Sequence, residues 1–272
     1  MSVISAPTAA QEPASPESVS NPYVRQIAGS WLRLKAAVDA FQDEVAACGE
    51  DIDLGYRGFD EREILVKTAN HICYQLEKRA KIEFGGNAGR LEIDTKEWPE
   101  RAVIAEEVRT FEPCRFWIAL ERQYGGGNGE RIALEQAAQQ IVREFGLATD
   151  KSGPQYKANG SLVLSTNIYV ERAWSGTVSF TCAESLTNTI LALKTFGMWA
   201  NLPGAWAISA HTDWRTKKIR SREQISAAPW LTLVTFFERI QFTFEASAAR
   251  QLLVFLSRYS SLGKKADSDG AR

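Results

Sequence analysis

The chain has 272 residues, of which 44% are hydrophobic and 24% charged, enough apolar material for a sizeable core and too much for a disordered polymer. Four cysteines without a Cys-x-x-Cys pair argue against a disulfide framework, and each sits in a context where a free thiol behaves as a small hydrophobe. The net charge of −1 hides an asymmetry: residues 1–150 carry −8 and residues 151–272 carry +7. Opposed halves suit intramolecular packing, head-to-tail association or a basic surface for a polyanion.

Residues 1–21 are rich in Ser, Ala, Pro and Glu, lack aromatics, and read as a disordered tail. Neither Lys nor Arg occurs in the first twenty residues and no apolar run follows, so no export signal is read there. Asn21 and Pro22 form a helix start, with Asn as cap and Pro in the first turn. The helix that follows places Val24, Ile27, Trp31, Leu34, Val38, Phe41, Val45 and Cys48 on one face in steps of three and four. That seam suits a core helix or an intermolecular coiled coil. Gly49 and the acidic run after it end the helix.

A second helix starts at Asp60, with Glu63 at capping-box spacing and Phe59 and Ile64 at the staple positions. The glycine-rich stretch Gly85–Gly89, flanked by Lys81–Phe84 and Arg90–Ile93, reads as a short hairpin. Helices follow over Pro99–Thr110, Pro113–Gln123 and Glu130–Phe145. After residue 153 the period becomes alternating. Leu162, Leu164, Thr166, Ile168 and Val170 share one strand face, and Val178 and Phe180 continue as the second arm of a hairpin. Ala183–Trp199 reads as a helix. Val234, Phe236, Ile240, Phe242 and Phe244 read as one long strand, and Ala248–Tyr259 as a closing helix. The expected fold class is α+β: a helical region over 22–150, then an α+β region over 151–262 with antiparallel strands and packed helices, and a frayed tail over 263–272.

Most motifs that suggest chemistry fail on spacing. Gly125–Gly129 precedes a helix but follows one too and lacks the Lys-Ser/Thr of a phosphate loop, so it reads as a helix–helix connection. His71 and Cys73 point to different helix faces. Ser209, His211 and Asp213 lie close in sequence, whereas triad members usually come from separate elements. Asp51, Asp53 and Gly55 lack the later ligands of a calcium loop. No metal or cofactor is implied.

One cluster stands out. Arg215, Lys217, Lys218, Arg220 and Arg222 fall within eight residues, with Trp206 and Trp214 before them and Trp230 after. Cations neutralise phosphates and exposed indoles stack on bases, which suits single-stranded or irregular nucleic acid. The alternative is a solvated loop that balances the acidic half.

The stretch Gly160-Ser-Leu-Val-Leu-Ser-Thr-Asn-Ile-Tyr169 as a strand, the hairpin and helix after it, and Thr235-Phe-Phe-Glu-Arg-Ile-Gln-Phe242 leading into a helix carry a resemblance. This C-terminal part resembles a domain of unknown function in plasmid- and phage-borne proteins, often found beside DNA methyltransferases. The resemblance implies a mobile-element context and supplies no catalytic residues.

The expectation is therefore a cytoplasmic, non-enzymatic accessory protein of a mobile element or bacterial genome. It would bind nucleic acid or another polyanion through Arg215, Lys217, Lys218, Arg220, Arg222 and Trp214. A second expectation is a protein-interaction or homo-oligomeric scaffold that uses Val24, Ile27, Trp31, Leu34, Val38, Phe41 and Val45. A third is an enzyme whose site is assembled from distant residues. No membrane partner is expected, because the strongly apolar stretch Ala227–Phe237 is interrupted by Pro229, Thr232 and Thr235 and is shorter than the ~20 residues a spanning helix needs.

Overall fold

The computed structural model describes residues 19–48, 60–88, 90–148, 154–168, 170–172, 178–180, 183–214, 221–236 and 238–260. The fold is α+β, with a helical N-terminal part and an antiparallel five-stranded sheet in the C-terminal half. Two compact units divide the chain: Met1–Ala80 with Ile93–Gly126, and Lys81–Glu92 with Gly127–Arg272. No helix among the described residues is long and apolar enough to cross a membrane.

The first unit holds α1 (Pro22–Cys48), α2 (Glu61–Phe84) as far as Ala80, α3 (Pro99–Glu107) and α4 (Pro113–Tyr124). Proline opens three of these helices, where its missing N–H costs nothing. Asn21 Oδ1 accepts from Tyr23 N at 3.0 Å and Asp60 Oδ1 from Glu63 N at 3.1 Å, so both side chains quench donors that a helix start leaves orphaned. Only residues 19–21 of the tail are described, and Val19 is buried there. Leu65, Ala69, Ile72, Cys73 and Leu76 line the buried side of α2, and Phe116, Trp117 and Leu120 that of α4.

The second unit holds α5 (Asn128–Glu144), strands β1 (Gln155–Tyr156), β2 (Leu162–Asn167), β3 (Val170–Arg172) and β4 (Val178–Phe180), and α6 (Ala183–Trp199). A 3-10 helix over Ala205–His211, strands β5 (Gln224–Ala228), β6 (Leu231–Thr235) and β7 (Arg239–Phe244), and α7 (Ala246–Tyr259) complete it. The large sheet has the order β1-β2-β7-β6-β5, with every neighbour pair antiparallel. β3 and β4 form a separate two-stranded hairpin. Register places three buried rows across the sheet: Leu162, Phe244 and Leu231; Leu164, Phe242 and Leu233; Thr166, Ile240 and Thr235. Because side chains alternate with a period of two, one face is apolar and the other is more exposed.

Three expectations are corrected. Leu162–Val170 is not one strand: β2 ends at Asn167 and pairs with β7, while Val170 opens β3, which pairs with β4 in the separate hairpin. Lys81–Phe84 is no strand; it is the last turn of α2, closed by Gly85 N donating to Lys81 O at 3.2 Å and followed by a 3-10 turn over Gly86–Ala88. Val234–Phe244 is not one strand but the two arms of a hairpin. The chain reverses after Thr235, where Phe236 N donates to Arg239 O at 2.8 Å.

Candidate functional site

The basic run belongs to the second unit. Arg215, Lys217, Lys218 and Arg220 lie outside the described residues, but both flanks are described. On the N-terminal flank is the 3-10 helix, entered through Gly204 at φ +72°, a left-handed turn where a Cβ would also come within 3.2 Å of Pro229. A 3-10 helix repeats every three residues. Ala205 and Ile208 fill its buried face, which leaves Trp206 pointing outward with 71% of its surface exposed. Ser209 Oγ donates to Trp206 O at 2.8 Å, one 3-10 turn back.

On the C-terminal flank, Ser221 and Arg222 lead into β5, an edge strand of the sheet and one that contacts the 3-10 helix. Arg222 is left-handed at φ +64°, held by its N–H donating to Thr235 O at 2.6 Å and by Thr235 N donating to Glu223 O at 3.0 Å. Its side chain is exposed. The two described flanks, the 3-10 helix and the Arg222 turn, therefore both adjoin the edge strand β5.

Trp214 does not serve as expected. It is 1% exposed and Trp230 is 2% exposed, with Trp230 Nε1 donating to Pro203 O at 3.1 Å. Indoles sealed in the core present no face to a base. Their flanking position in the sequence reflects packing, and Trp206 is the ring that remains accessible.

The interaction helix splits in two. Val24, Trp31 and Val38 are buried and Ile27 and Leu34 half-buried, whereas Phe41 and Val45 are each 41% exposed. The polar side of that exposed stretch is fastened nonetheless: Arg109 Nη1 meets Asp39 Oδ1 at 2.5 Å and also pairs with Glu61, and Gln42 donates to Glu61. The hydrogen bonds to Asp39 and then Glu61 raise the Arg109 pKa further.

A second arrangement has no sequence motif. Between α5 and α6 runs a groove of about 500 Å³ whose floor includes Ala137, Leu191 and Ala192. Gln136 pairs with the backbone of Glu92 twice, Oε1 accepting its N–H and Nε2 donating to its carbonyl, both at 2.8 Å. Arg90 crosses from Glu92 Oε1 at 2.9 Å to Asn188 Oδ1 at 2.8 Å. Arg143 donates to Gln140 Oε1, and no carboxylate of the described residues forms an ion pair with it. These side chains come from three distant segments; the one local signal is the i, i+4 and i+3 run of Gln136, Gln140 and Arg143 on one face of α5.

Among the described residues no group of three or more His, Cys, Asp or Glu could hold a metal ion, and Asp51, Asp53 and Gly55 lie outside them. Both buried thiols in the first unit are held protonated: burial pushes Cys73 up to about 12, and burial, then Glu112, raises Cys114. Neither has the depressed pKa of a nucleophile. No family model matches the chain, and neither a curated protein nor a solved structure matches it.

Proposed function

We propose that the protein binds single-stranded or irregular nucleic acid at the sheet edge bracketed by Trp206 and Arg222, as an accessory factor in the mobile-element setting its resemblance implies. The observation that carries this reading is Trp206. A large, mainly apolar ring left 71% exposed costs hydration free energy and contributes nothing to the core, which fits a ring kept for contact. It precedes a run of five cations in a chain half carrying a net +7. Stacking on one indole with phosphate neutralisation alongside is sequence-tolerant recognition.

The test is anisotropy of a labelled single-stranded oligonucleotide titrated across salt. With about four or five phosphates neutralised, the logarithm of affinity should fall against the logarithm of salt with a slope of about −3. Trp206→Ala should weaken binding about tenfold, the lower end of one base stack. Arg222→Gly removes a cation at a backbone angle glycine prefers, so it should flatten the slope by about 0.7 without unfolding the turn. Absence of binding at low salt, or both variants binding like the parent, would sink the reading.

A second reading rests on α1, whose apolar seam continues past Val38 onto exposed Phe41 and Val45. We infer that this end of the seam meets the same seam of a second copy. Light scattering should then report a dimer that Phe41→Ser returns to monomer; a monomer at every concentration removes it.

A further inference from the structure

We propose that the groove between α5 and α6 is a binding site for a small organic anion, its charged oxygens received by Arg143 and its remainder by the amides beside it. This goes beyond the nucleic-acid reading and uses none of the same residues. The cavity of about 500 Å³ is of the size that small-molecule sites have, with an apolar floor and a few convergent polar groups. An adjoining cavity of about 240 Å³ shares Arg90, Leu191 and Thr195 with it and adds Lys194.

The charge balance selects an anion. Arg90 is neutralised by Glu92, but no ion pair among the described residues engages Arg143 or Lys194. The carboxylate next in sequence to Arg143 is committed elsewhere: Glu144 Oε1 accepts from Thr166 Oγ1 at 2.7 Å and its Oε2 from Ser185 Oγ at 2.6 Å. The groove thus holds one cation, Arg143, that no carboxylate among the described residues pairs with, and a planar guanidinium fits the paired oxygens of a phosphate or a carboxylate.

The site is also built in advance. Gln140 is oriented by accepting from Arg143 and by its Nε2 reaching Thr189 Oγ1 at 3.4 Å, and Asn188 is held by Arg90. The opposite wall is pinned by the two bonds of Gln136 to Glu92 and by Thr195 Oγ1 donating to Ala88 O at 2.6 Å. A ligand entering such a groove orders few side chains, and that lowers the cost of binding. The long Gln140–Thr189 contact is the weakest of the set and the one a ligand would replace.

The experiment is calorimetry of the full chain with three probes, inorganic phosphate, a nucleoside monophosphate and a dicarboxylate, together with backbone amide shifts. At least one organic probe should bind with shifts clustered in Gln139–Arg143 and Asn188–Thr195. The nucleoside monophosphate and the dicarboxylate arms separate phosphate from carboxylate recognition. Arg143→Gln should weaken binding about tenfold, the loss of charge-assisted hydrogen bonds. Arg143 is exposed and among the described residues its side chain bonds one neighbour, Gln140, so the fold should survive, with unchanged far-ultraviolet dichroism as the control. No heat and no shifts at millimolar probe, equal affinity in Arg143→Gln, or shifts confined to Trp206 and the Arg222 turn would each overturn the proposal.

Discussion

The two units build their cores from different materials. In the first, aromatic side chains are tied by polar bonds to the backbone and to one another's neighbours. Trp31 Nε1 donates to Phe111 O at 2.9 Å, and Trp98 stacks on Tyr124 at 11°. Nearby, Glu77 Oε1 accepts from Arg101 Nη1 at 2.8 Å and from Thr95 Oγ1. In the second, shape dominates: Phe196 meets Trp230 edge-on at 5.6 Å, Trp230 lies over Phe244 at 6.3 Å, and Phe196 and Trp199 both touch Phe255. A directional polar clamp fixes where a helix sits. An aromatic cluster fixes how closely elements approach and tolerates less change in volume.

The sharpest way to break the comparison is at Trp230. Trp230→Ala removes both ring contacts and leaves the Pro203 carbonyl without its indole donor, so urea unfolding should show a loss of about 4 kcal/mol. Arg101 is the matching test in the first unit. Its partner Glu77 keeps only 13% of its side-chain surface exposed and Arg101 25%. Arg101→Met therefore strands a largely buried carboxylate on the Thr95 hydroxyl, at about 2 kcal/mol once residual solvent access is allowed for. A double-mutant cycle with Glu77→Gln should return much of that loss, because the cost lies in the uncompensated charge. Additive losses would mean that the clamp acts through packing alone, and the contrast between the units would vanish.

Much of this architecture is legible in the chain. Asn21-Pro22, Pro99 and Pro113 mark helix starts because proline's geometry is local, and Ala183–Trp199 shows an apolar period undisturbed by its neighbours. The hairpin within Val234–Phe244 escapes a reading by simple alternation, although its signal is present. Leu231, Leu233 and Thr235 are buried at odd positions and Ile240, Phe242 and Phe244 at even ones, and that change of parity marks a break in the alternation between them, here a turn. The site is harder to read. Composition cannot distinguish buried Trp214 from bare Trp206, since both are indoles near the cations; the three-residue repeat of the 3-10 helix turns Trp206 outward, whereas Trp214 lies beyond that helix and is buried. The groove depends on Arg90, Arg143 and Asn188 converging from separate segments, and no local pattern records that.

Gly197 sharpens the same contrast at lower cost. It lies on α6, where a Cβ would come within 2.7 Å of Trp230 Cζ2 and 2.8 Å of Ala205 Cβ. Alanine usually stabilises a helix interior by up to about 1 kcal/mol over glycine. Here the clash wins, because neither the indole nor the Ala205 carbon is the free end of a flexible chain. Gly197→Ala should cost about 1–2 kcal/mol net. Adding Trp230→Phe, which deletes the clashing ring carbon, should reduce that penalty; an unchanged penalty would place the strain at Ala205.

The smallest effect is the one the first unit should show alone, at alkaline pH. Cys73 is fully buried, and burial raises its thiol from 9.0 to about 12, with Glu77 adding to the shift and Arg101 opposing it. Where the thiol stays protonated in the fold but ionises in the unfolded chain, the unfolded state gains and stability falls. The thiol's contribution is therefore fully present below pH 9.0 and is lost as pH climbs from 9.0 towards 12. Tyr124 is raised in the same sense by burial, then by Asp94 and Glu77, so the total alkaline slope is not the thiol's alone. The difference between the parent and Cys73→Ala isolates it. Urea midpoints measured from about pH 8 to about pH 11 should fall more steeply for the parent than for the variant. Parallel curves would mean that solvent reaches Cys73 before the unit unfolds, and that its polar clamps hold the helices less tightly than the aromatic cluster holds the sheet.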